Sequence, residues 1–342
     1  MSRTAVVLFN LGGPDSPQAV RPFLQNLFSD PAILQVPGPV RWMLARLISR
    51  RREKAAQAIY AHLGGRSPLL PNTEAQATAL QAALQAPGEE MRCFIAMRYW
   101  HPFTEQTVAE VKAFAPDRIM LLPLYPQFST TTTGSSVAAW TAAAAKAGLQ
   151  VPTHTVCCYP TELGFIAAMA GLVRPAYDAA AAHGTPRVLF SAHGLPKTVV
   201  ERGDPYQHQC ERTAAALAAA LQIPGLDWLN SYQSRVGPLE WIGPATDTEI
   251  ERAGRDGVPV VVVPIAFVSE HSETLVELGI EYRHLAQQCG VPYFAVVPTV
   301  GDDPAFINGL AGLVRASLQR PGLCSQDGGR LCPAGFSGCP QR

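Results

Sequence analysis

Short apolar runs recur along the chain and constrain its fold more than any other feature. Six such runs, rich in β-branched residues and separated by stretches of helical periodicity, cover residues 5–9, 92–96, 118–122, 188–191, 258–265 and 293–297. Apolar runs of this length that alternate with helices are typical of parallel strands buried on both faces. The pattern therefore predicts an α/β fold with doubly wound parallel sheets.

Several of the predicted strands end in turn-forming residues. The segment NLGGP at residues 10–14 follows the first run, YPQ at 125–127 follows the third, and HGLP at 193–196 follows the fourth. Open parallel sheets bind their ligands at the carboxyl ends of the strands, so these turns mark the rim of a predicted cleft.

The first and fourth runs resemble each other. VVLFNLGGP at residues 6–14 parallels VLFSAHGLP at residues 188–196. Two similar lobes would produce this likeness, although any strand that exits into a turn looks much the same. With a boundary near residues 151 and 152, the predicted organisation is an N-terminal lobe over 1–150, a C-terminal lobe over 151–312 and an extension over 313–342.

The charge balance excludes some classes of partner. With 27 basic and 27 acidic side chains in 342 residues, nothing predicts a nucleic acid or another strongly charged partner. The opening residues lack the features of a secretory signal, and no run of about 18 apolar residues predicts a membrane span. We expect a cytoplasmic protein, either soluble or peripheral to a membrane.

The segment SEHSETLVEL at residues 269–278 follows the long fifth run and is the most informative stretch for chemistry. A helix beginning near Ser269 would place four carboxylates on one face and four apolar side chains on another. The two sets are Glu270, Glu273, Glu277 and Glu281, and Leu275, Leu278, Tyr282 and Leu285. Such a helix is either an amphipathic surface helix or, in a cleft, a functional one.

In a partly dry cleft, crowded carboxylates repel one another, so we expect at least one of their pKa values to rise. That carboxylate could then take a proton from a weakly acidic N–H group near neutral pH. His193 and His271 add imidazoles at strand exits, and nitrogen with carboxylate oxygen is a plausible ligand set for ferrous iron. The motifs of P-loop, dinucleotide-binding, serine hydrolase and zincin proteins are absent from the sequence.

Eight segments, in order and spacing, resemble the motifs of the ferrochelatase family. They are LFNLGGPDSP (8–17), GGRSPL (64–69), MRYWHP (97–102), LYPQFSTTTTGSS (124–136), SAHGLP (191–196), RGDPY (202–206), SRVGPLEWIGP (234–244) and PIAFVSEHSETLVEL (264–278). The resemblance implies two Rossmann-like lobes, each with a four- or five-stranded parallel sheet, and a porphyrin between them.

The resemblance also implies roles for individual residues. His193 and Glu273 would be the catalytic pair, facing each other across the porphyrin and contacting the metal. Glu270, His271 and Glu277 would extend this polar side as a path for protons or metal. The substrate-binding residues implied are Leu11, Ser67, Arg98, Tyr99 and Trp241.

The reaction implied is insertion of Fe2+, a substrate, into protoporphyrin IX to form haem, as two pyrrole N–H protons leave to His193 or the Glu273 carboxylate. No nucleotide or redox cofactor is required. The sequence leaves open which of the two accepts the protons. The alternatives are a chelatase for coproporphyrin, cobalt or nickel, and a haem carrier without turnover. The oligomeric state is not predicted.

Residues 40–48 combine an apolar helical stripe at positions 40, 43, 44, 47 and 48 with flanking arginines. This pattern is typical of a helix lying on an anionic membrane surface, and equally of a helix docked on a core. In the family that the chain resembles, this region is a hydrophobic lip at the cleft mouth. We therefore expect peripheral association with the inner face of a membrane.

Eight cysteines are present, and we expect five of them to be structural: Cys93, Cys157, Cys158, Cys210 and Cys289. The other three, Cys324, Cys332 and Cys339, lie in a Gly-rich tail. This tail is similar to the one with which some ferrochelatases bind a [2Fe–2S] cluster, but it lacks one of their cysteines. A fourth ligand would have to come from elsewhere, with Cys158 a candidate; zinc or uncoordinated thiols are the alternatives.

Overall fold

The computed structural model describes residues 2–235, 237, 239–320 and 322–341. The chain forms two compact units. Unit 1 comprises Met1–Tyr125, Ser129–Cys157 and Leu313–Cys324, and unit 2 comprises Pro126–Phe128, Cys158–Gly312 and Ser325–Arg342. None of the described helices has both the length and the apolar character needed to cross a lipid bilayer.

Unit 1 is built on a parallel sheet of five strands. They are β1 (Ser2–Asn10), β2 (Glu89–Met97), β3 (Arg118–Pro123), β4 (Thr153–Val156) and β9 (Leu323–Cys324), in the spatial order β2-β1-β3-β4-β9. The inner strand β1 is apolar on both faces because helices cover both, and residues 5–9 are almost inaccessible to solvent.

The helices of unit 1 lie between these strands in the sequence. They are α1 (Val20–Ser29), α2 (Gly38–Ala61), α3 (Leu69–Leu84), α4 (Thr104–Phe114) and α5 (Ser135–Ala147), the last preceded by a short π-helix, π1 (Thr130–Gly134). Phe9, Phe94, Phe114 and Trp140 form part of the core between the sheet and these helices.

Unit 2 is built on a parallel sheet of four strands. They are β5 (Arg187–His193), β6 (Asp227–Gln233), β7 (Val260–Pro264) and β8 (Phe294–Val296), in the order β6-β5-β7-β8. Its helices are α6 (Leu163–Ala181), α7 (Lys197–Glu201), α8 (Tyr206–Leu221), α9 (Thr246–Asp256), π2 (Glu273–Glu281) and α10 (Tyr282–Gln288). A further helix, α11 (Pro304–Leu318), begins in unit 2 and ends in unit 1. The prediction of two doubly wound parallel sheets of four or five strands is confirmed.

The two units partition the chain differently from the three predicted segments. The chain passes from unit 1 to unit 2 after Cys157, a few residues beyond the predicted boundary. Residues 313–342 are divided between the units, since Leu313–Cys324 returns to unit 1 and supplies the edge strand β9, while Ser325–Arg342 belongs to unit 2.

Candidate active site

The candidate site lies at the carboxyl ends of the strands of unit 2, where the sequence placed it. His193 is the last residue of β5, a strand held between β6 and β7. Its Nδ1 lies 2.8 Å from Oε2 of Glu273, and the two side chains retain 36% and 28% of their solvent exposure. The strand fixes the histidine at the unit surface, and the carboxylate orients its ring.

The carboxylates come from a helix that differs from the predicted one. Helical structure starts at Ser272 rather than near Ser269, and Glu273–Glu281 is a π-helix. Glu273 and Glu277 lie four residues apart, about one helical turn, and share a partner, Ser234. The predicted stripe of four is wrong: Glu270 precedes the helix, where it is bound by Thr274 and by the Thr299 backbone N–H at 2.8 Å, and Glu281 is exposed.

Ser234, which directly follows β6, was not predicted as a site residue. Its backbone N–H donates to Oε1 of Glu277 at 2.9 Å. Its hydroxyl lies 3.1 Å from Oε2 of Glu273 and also forms a short hydrogen bond with Oε2 of Glu277. The motif SRVGPLEWIGP contained this residue, but a serine before a Gly-Pro turn carries no chemical signal by itself. Val236 and Pro238 of that motif lie outside the described residues.

The pKa shifts of His193 and Glu273 go in opposite directions. Burial opposes the charged form of His193, but the charge and hydrogen bond of Glu273, with the charge of Glu277, outweigh it and raise the pKa of His193. Burial acts to raise the pKa of Glu273, but His193, His271 and Ser234 together lower it to about 2. Glu273 therefore remains ionised at neutral pH, and His193 is the stronger base.

Glu277 behaves as expected for a crowded carboxylate. Burial and the neighbouring charge of Glu273 raise the pKa of Glu277 against the opposing hydrogen bonds from Ser234. The expectation that one carboxyl pKa rises is confirmed. Because the Ser234 hydroxyl has one proton and faces two carboxylates, a protonated Glu277 that donates to Ser234 would satisfy both contacts.

His271 lies beside this cluster without joining its hydrogen bonds. Both of its ring nitrogens are buried and have no hydrogen-bond partner, and the ring packs against Phe267 with 4.4 Å between centroids. Burial lowers the pKa of His271, partly opposed by Glu273 and Glu270. Among the described residues, no group of three or more His, Cys, Asp or Glu side chains is arranged to hold a metal ion.

One geometric expectation is wrong. His193 and Glu273 were expected to face each other across the porphyrin, but they form a direct hydrogen bond of 2.8 Å. This distance leaves no space for a macrocycle between them. Both side chains instead belong to one surface of unit 2, where they act as a pair rather than as opposing walls.

Trp241 shares this surface. With Ser234, Arg235, Leu239, Asp247 and Tyr282 it lines a pocket of about 380 Å³ that reaches Glu277. A Cβ built on Gly194 would lie 3.1 Å from Cε3 of the Trp241 ring, so glycine directly after His193 allows the indole to approach the backbone. The placement is compatible with the predicted role of an aromatic contact near His193.

The other predicted substrate contacts belong to unit 1. Leu11 packs between two core clusters, and Ser67 is buried, its backbone N–H bonded to the carbonyl of Pro14. Tyr99 is only 1% exposed and donates its hydroxyl to Asp30 at 2.8 Å. Its side chain is therefore part of the core of unit 1.

Arg98 retains partial exposure but is already paired. Its guanidinium lies 2.8 Å from Oδ2 of the buried Asp30, and its Nε donates to the Ser135 hydroxyl at 2.7 Å. Asp30 thus holds Arg98, Tyr99 and Ser135 together, and it was not among the predicted site residues. A lone aspartate before a loop has no distinguishing pattern in the sequence.

The tail cysteines are distributed between the units. In unit 2, Nε2 of Gln209 lies 3.1 Å from Sγ of Cys332 and 3.4 Å from Sγ of Cys158, and Cys339 neighbours Cys332. Burial and the neighbouring thiols raise the pKa of Cys332 to about 11 against the Gln209 hydrogen bond. Cys324 belongs to unit 1 and bonds the Ser317 hydroxyl at 3.0 Å. As placed, these thiols are not a metal-holding group.

Comparison with solved structures shows which known fold the chain resembles. The chain aligns with SirB from Bacillus subtilis, described as a sirohydrochlorin chelatase, with a TM-score of 0.54 and 13% identity, over 93% of this chain and 96% of the other. Two parallel sheets with a histidine–carboxylate pair at the strand ends of one of them thus define a protein of the chelatase fold.

Comparison with sequences defines the family. The ferrochelatase family model matches residues 3–318. A ferrochelatase of Caulobacter vibrioides is 57% identical over 99% of this chain and 98% of its own length. Those of Phenylobacterium zucineum and Rickettsia bellii are 56% and 47% identical, over 98% or more of this chain. The chain belongs to the ferrochelatase family.

Proposed function

We propose that this enzyme inserts ferrous iron into protoporphyrin IX to form haem. The observation that carries the proposal is the His193–Glu273 pair at the end of β5, in a chain whose motifs and family match point to the same chemistry. Insertion of Fe2+ requires that the two pyrrole nitrogens lose their protons, and a base held at the porphyrin surface accelerates that step.

The geometry favours His193 as the proton acceptor. Its Nδ1 is engaged by Glu273, which leaves Nε2 to accept a proton. The Glu273 carboxylate then stabilises the imidazolium that forms, and its own low pKa makes it a weak base. Each pyrrole proton would pass to His193 and then to solvent, while Fe2+ replaces the two protons in the ring.

An anaerobic assay with purified protein tests the proposal. We expect Fe2+ to be inserted into protoporphyrin IX faster than into coproporphyrin, and faster than Co2+ or Ni2+ is inserted into either ring. Preference for coproporphyrin, cobalt or nickel would assign the chain to another chelatase reaction. Stoichiometric binding of haem without turnover would identify a carrier.

We also propose that α2 attaches the enzyme to the inner face of a membrane from the cytoplasmic side. Trp42, Met43 and Leu47 on this helix are 59%, 57% and 43% exposed, and the Arg46 guanidinium lies 4.8 Å from the Trp42 ring. Large apolar side chains among arginines match the interfacial pattern in the sequence. Leu44 is half-buried and contributes less than the stripe suggested.

Replacing Trp42, Met43 and Leu47 together by Ser should weaken binding to vesicles that contain anionic lipid by roughly tenfold or more, because three exposed apolar side chains are lost. Co-sedimentation of the protein with the vesicles measures this loss of binding. Leu163→Ser is the matched control, since Leu163 is 83% exposed in unit 2, far along the chain from α2. Equal sedimentation of the triple variant and the native protein would contradict the proposal.

A [2Fe–2S] cluster in the tail stays a prediction. The proximity of Cys158, Cys332 and Cys339 in unit 2 supports it, whereas the absence of a metal-holding group among the described residues does not. No step of the reaction is assigned to a cluster. We expect visible absorption bands in anaerobically reconstituted protein, lost in Cys332→Ser and kept in Cys93→Ser. A reconstituted protein without such bands would remove the prediction.

A further inference from the structure

We infer that Ser234 is a positioning residue for iron insertion, which holds the carboxylates of Glu273 and Glu277 in place beside His193. The inference rests on the proposed function, because it assigns Ser234 to the same reaction. It adds a residue that no motif role or charge pattern had selected.

The backbone of Ser234 is the first observation. Its φ is 64°, in the left-handed region that non-glycine residues rarely adopt. Among the described residues, two other non-glycine residues have positive φ, Ala115 and Gln222, and each is the C-cap of a helix, where that conformation is ordinary. Ser234 caps no helix. Strained backbone that persists outside a cap points to a functional constraint.

The second observation is the set of hydrogen bonds that this backbone conformation allows Ser234 to form. It aims both the N–H and the hydroxyl of one residue at the two carboxylates: the N–H reaches Oε1 of Glu277 at 2.9 Å, and the hydroxyl contacts Oε2 of both. Oε2 of Glu273 is also the oxygen that bonds Nδ1 of His193. Ser234 therefore fixes the oxygen that orients the proposed base.

Neighbouring polar groups do not replace the hydrogen bonds by which Ser234 connects Glu273 and Glu277. Arg235, the next residue, directs its guanidinium to both oxygens of Asp247, at 2.8 and 2.9 Å. The Tyr282 hydroxyl reaches Oε1 of Glu277 at 3.2 Å but has no hydrogen bond to Glu273. The connection between the two carboxylates accordingly passes through the serine side chain.

Ser234→Gly tests the inference, because glycine suits a left-handed backbone, keeps the N–H and removes the hydroxymethyl side chain. We expect kcat for iron insertion to fall roughly 10- to 100-fold, the effect of a misplaced catalytic group. The Kd for protoporphyrin, from quenching of tryptophan fluorescence, should change less than about twofold, and Tm should not fall. Should the glycine loosen the loop, Ser234→Ala removes the same hydroxyl and should give the same loss.

Two further measurements distinguish positioning from a general structural effect. Gln222→Gly relieves the same left-handed strain at the exposed C-cap of α8 and should leave kcat unchanged. In a Glu277→Gln or Glu273→Gln background, adding Ser234→Gly should cost much less than in the native enzyme, because residues that act as a unit are not additive.

A folded Ser234→Gly or Ser234→Ala variant with native kcat would overturn the inference, as would full additivity with both glutamine variants. Failure of the native enzyme to insert iron would instead reject the proposed function. The outcomes are separable, because the native protein and the His193→Ala variant are assayed in the same series.

Discussion

His193→Ala should lower kcat for iron insertion by roughly 10²- to 10⁴-fold, the contribution expected from one positioned proton acceptor. The variant loses the base whose pKa is raised by Glu273, and with it the Nε2 acceptor that the hydrogen bond with Glu273 orients. Binding of protoporphyrin should remain within a few-fold of native, because the remaining surface, including Trp241, is retained. Initial rates under anaerobic conditions and fluorescence titration measure the two effects.

His183→Ala is the matched control for this experiment. His183 is an exposed histidine of unit 2 whose ring stacks on Tyr293 with 4.7 Å between centroids, so its loss tests the general cost of removing an imidazole. We expect native kcat in this control. If His193→Ala retained more than about a tenth of native kcat, a proton acceptor other than His193 would have to be sought.

The six predicted runs overlap β1, β2, β3, β5, β7 and β8, so the sequence predicted inner strands and also the edge strands β2 and β8. The runs in β1, β5 and β7 are almost wholly apolar because these inner strands are buried on both faces. The edge strand β6, DWLNSYQ, is polar and partly exposed, so it gave no apolar run. The short β4 and the two-residue β9 were missed because they contain too few residues for a pattern.

Site residues with a titratable side chain could be predicted from the sequence, whereas a residue that acts through its backbone conformation could not. The residue pattern placed His193 at a strand exit and Glu273 among four carboxylates, the resemblance to ferrochelatases selected these two, and they do form a pair. Their mutual distance could not be read from the sequence, because it depends on how the loops after β5 and β7 fold. Ser234 acts through a left-handed backbone, and neither that conformation nor the π-helical turn has a signature in single residues.

Replacing Glu273 by Gln should lower kcat by a similar factor, roughly 10²-fold or more, and should also move the pH dependence. Native kcat should rise with pH as His193 loses its proton, with a midpoint above the ordinary pKa of about 6.5 because Glu273 raises it. Without that charge, burial acts on His193 with less opposition, and the midpoint of the acidic limb should move to lower pH. A pH–rate profile of both enzymes measures the shift.

The same pair predicts how stability changes with pH. A raised pKa on His193 stabilises the fold at acidic pH, and this contribution is lost as pH rises through the folded pKa. A lowered pKa on Glu273 stabilises it above the ordinary carboxyl pKa, and this contribution is lost as pH falls towards about 2. The His193–Glu273 pair therefore stabilises the fold most at pH values between about 2 and the raised pKa of His193.

Thermal melts should show that Glu273→Gln destabilises the protein more at a pH near 5.5 than at an alkaline pH above the raised pKa of His193, where the imidazole is neutral. Glu281→Gln, an exposed glutamate of the same π-helix, is the control and should shift neither the melts nor the rate profile. An acidic limb that stayed in place in Glu273→Gln, with equal destabilisation at both pH values, would show that this carboxylate does not set the protonation of His193. The proposed division into base and stabilising charge would then have to be abandoned.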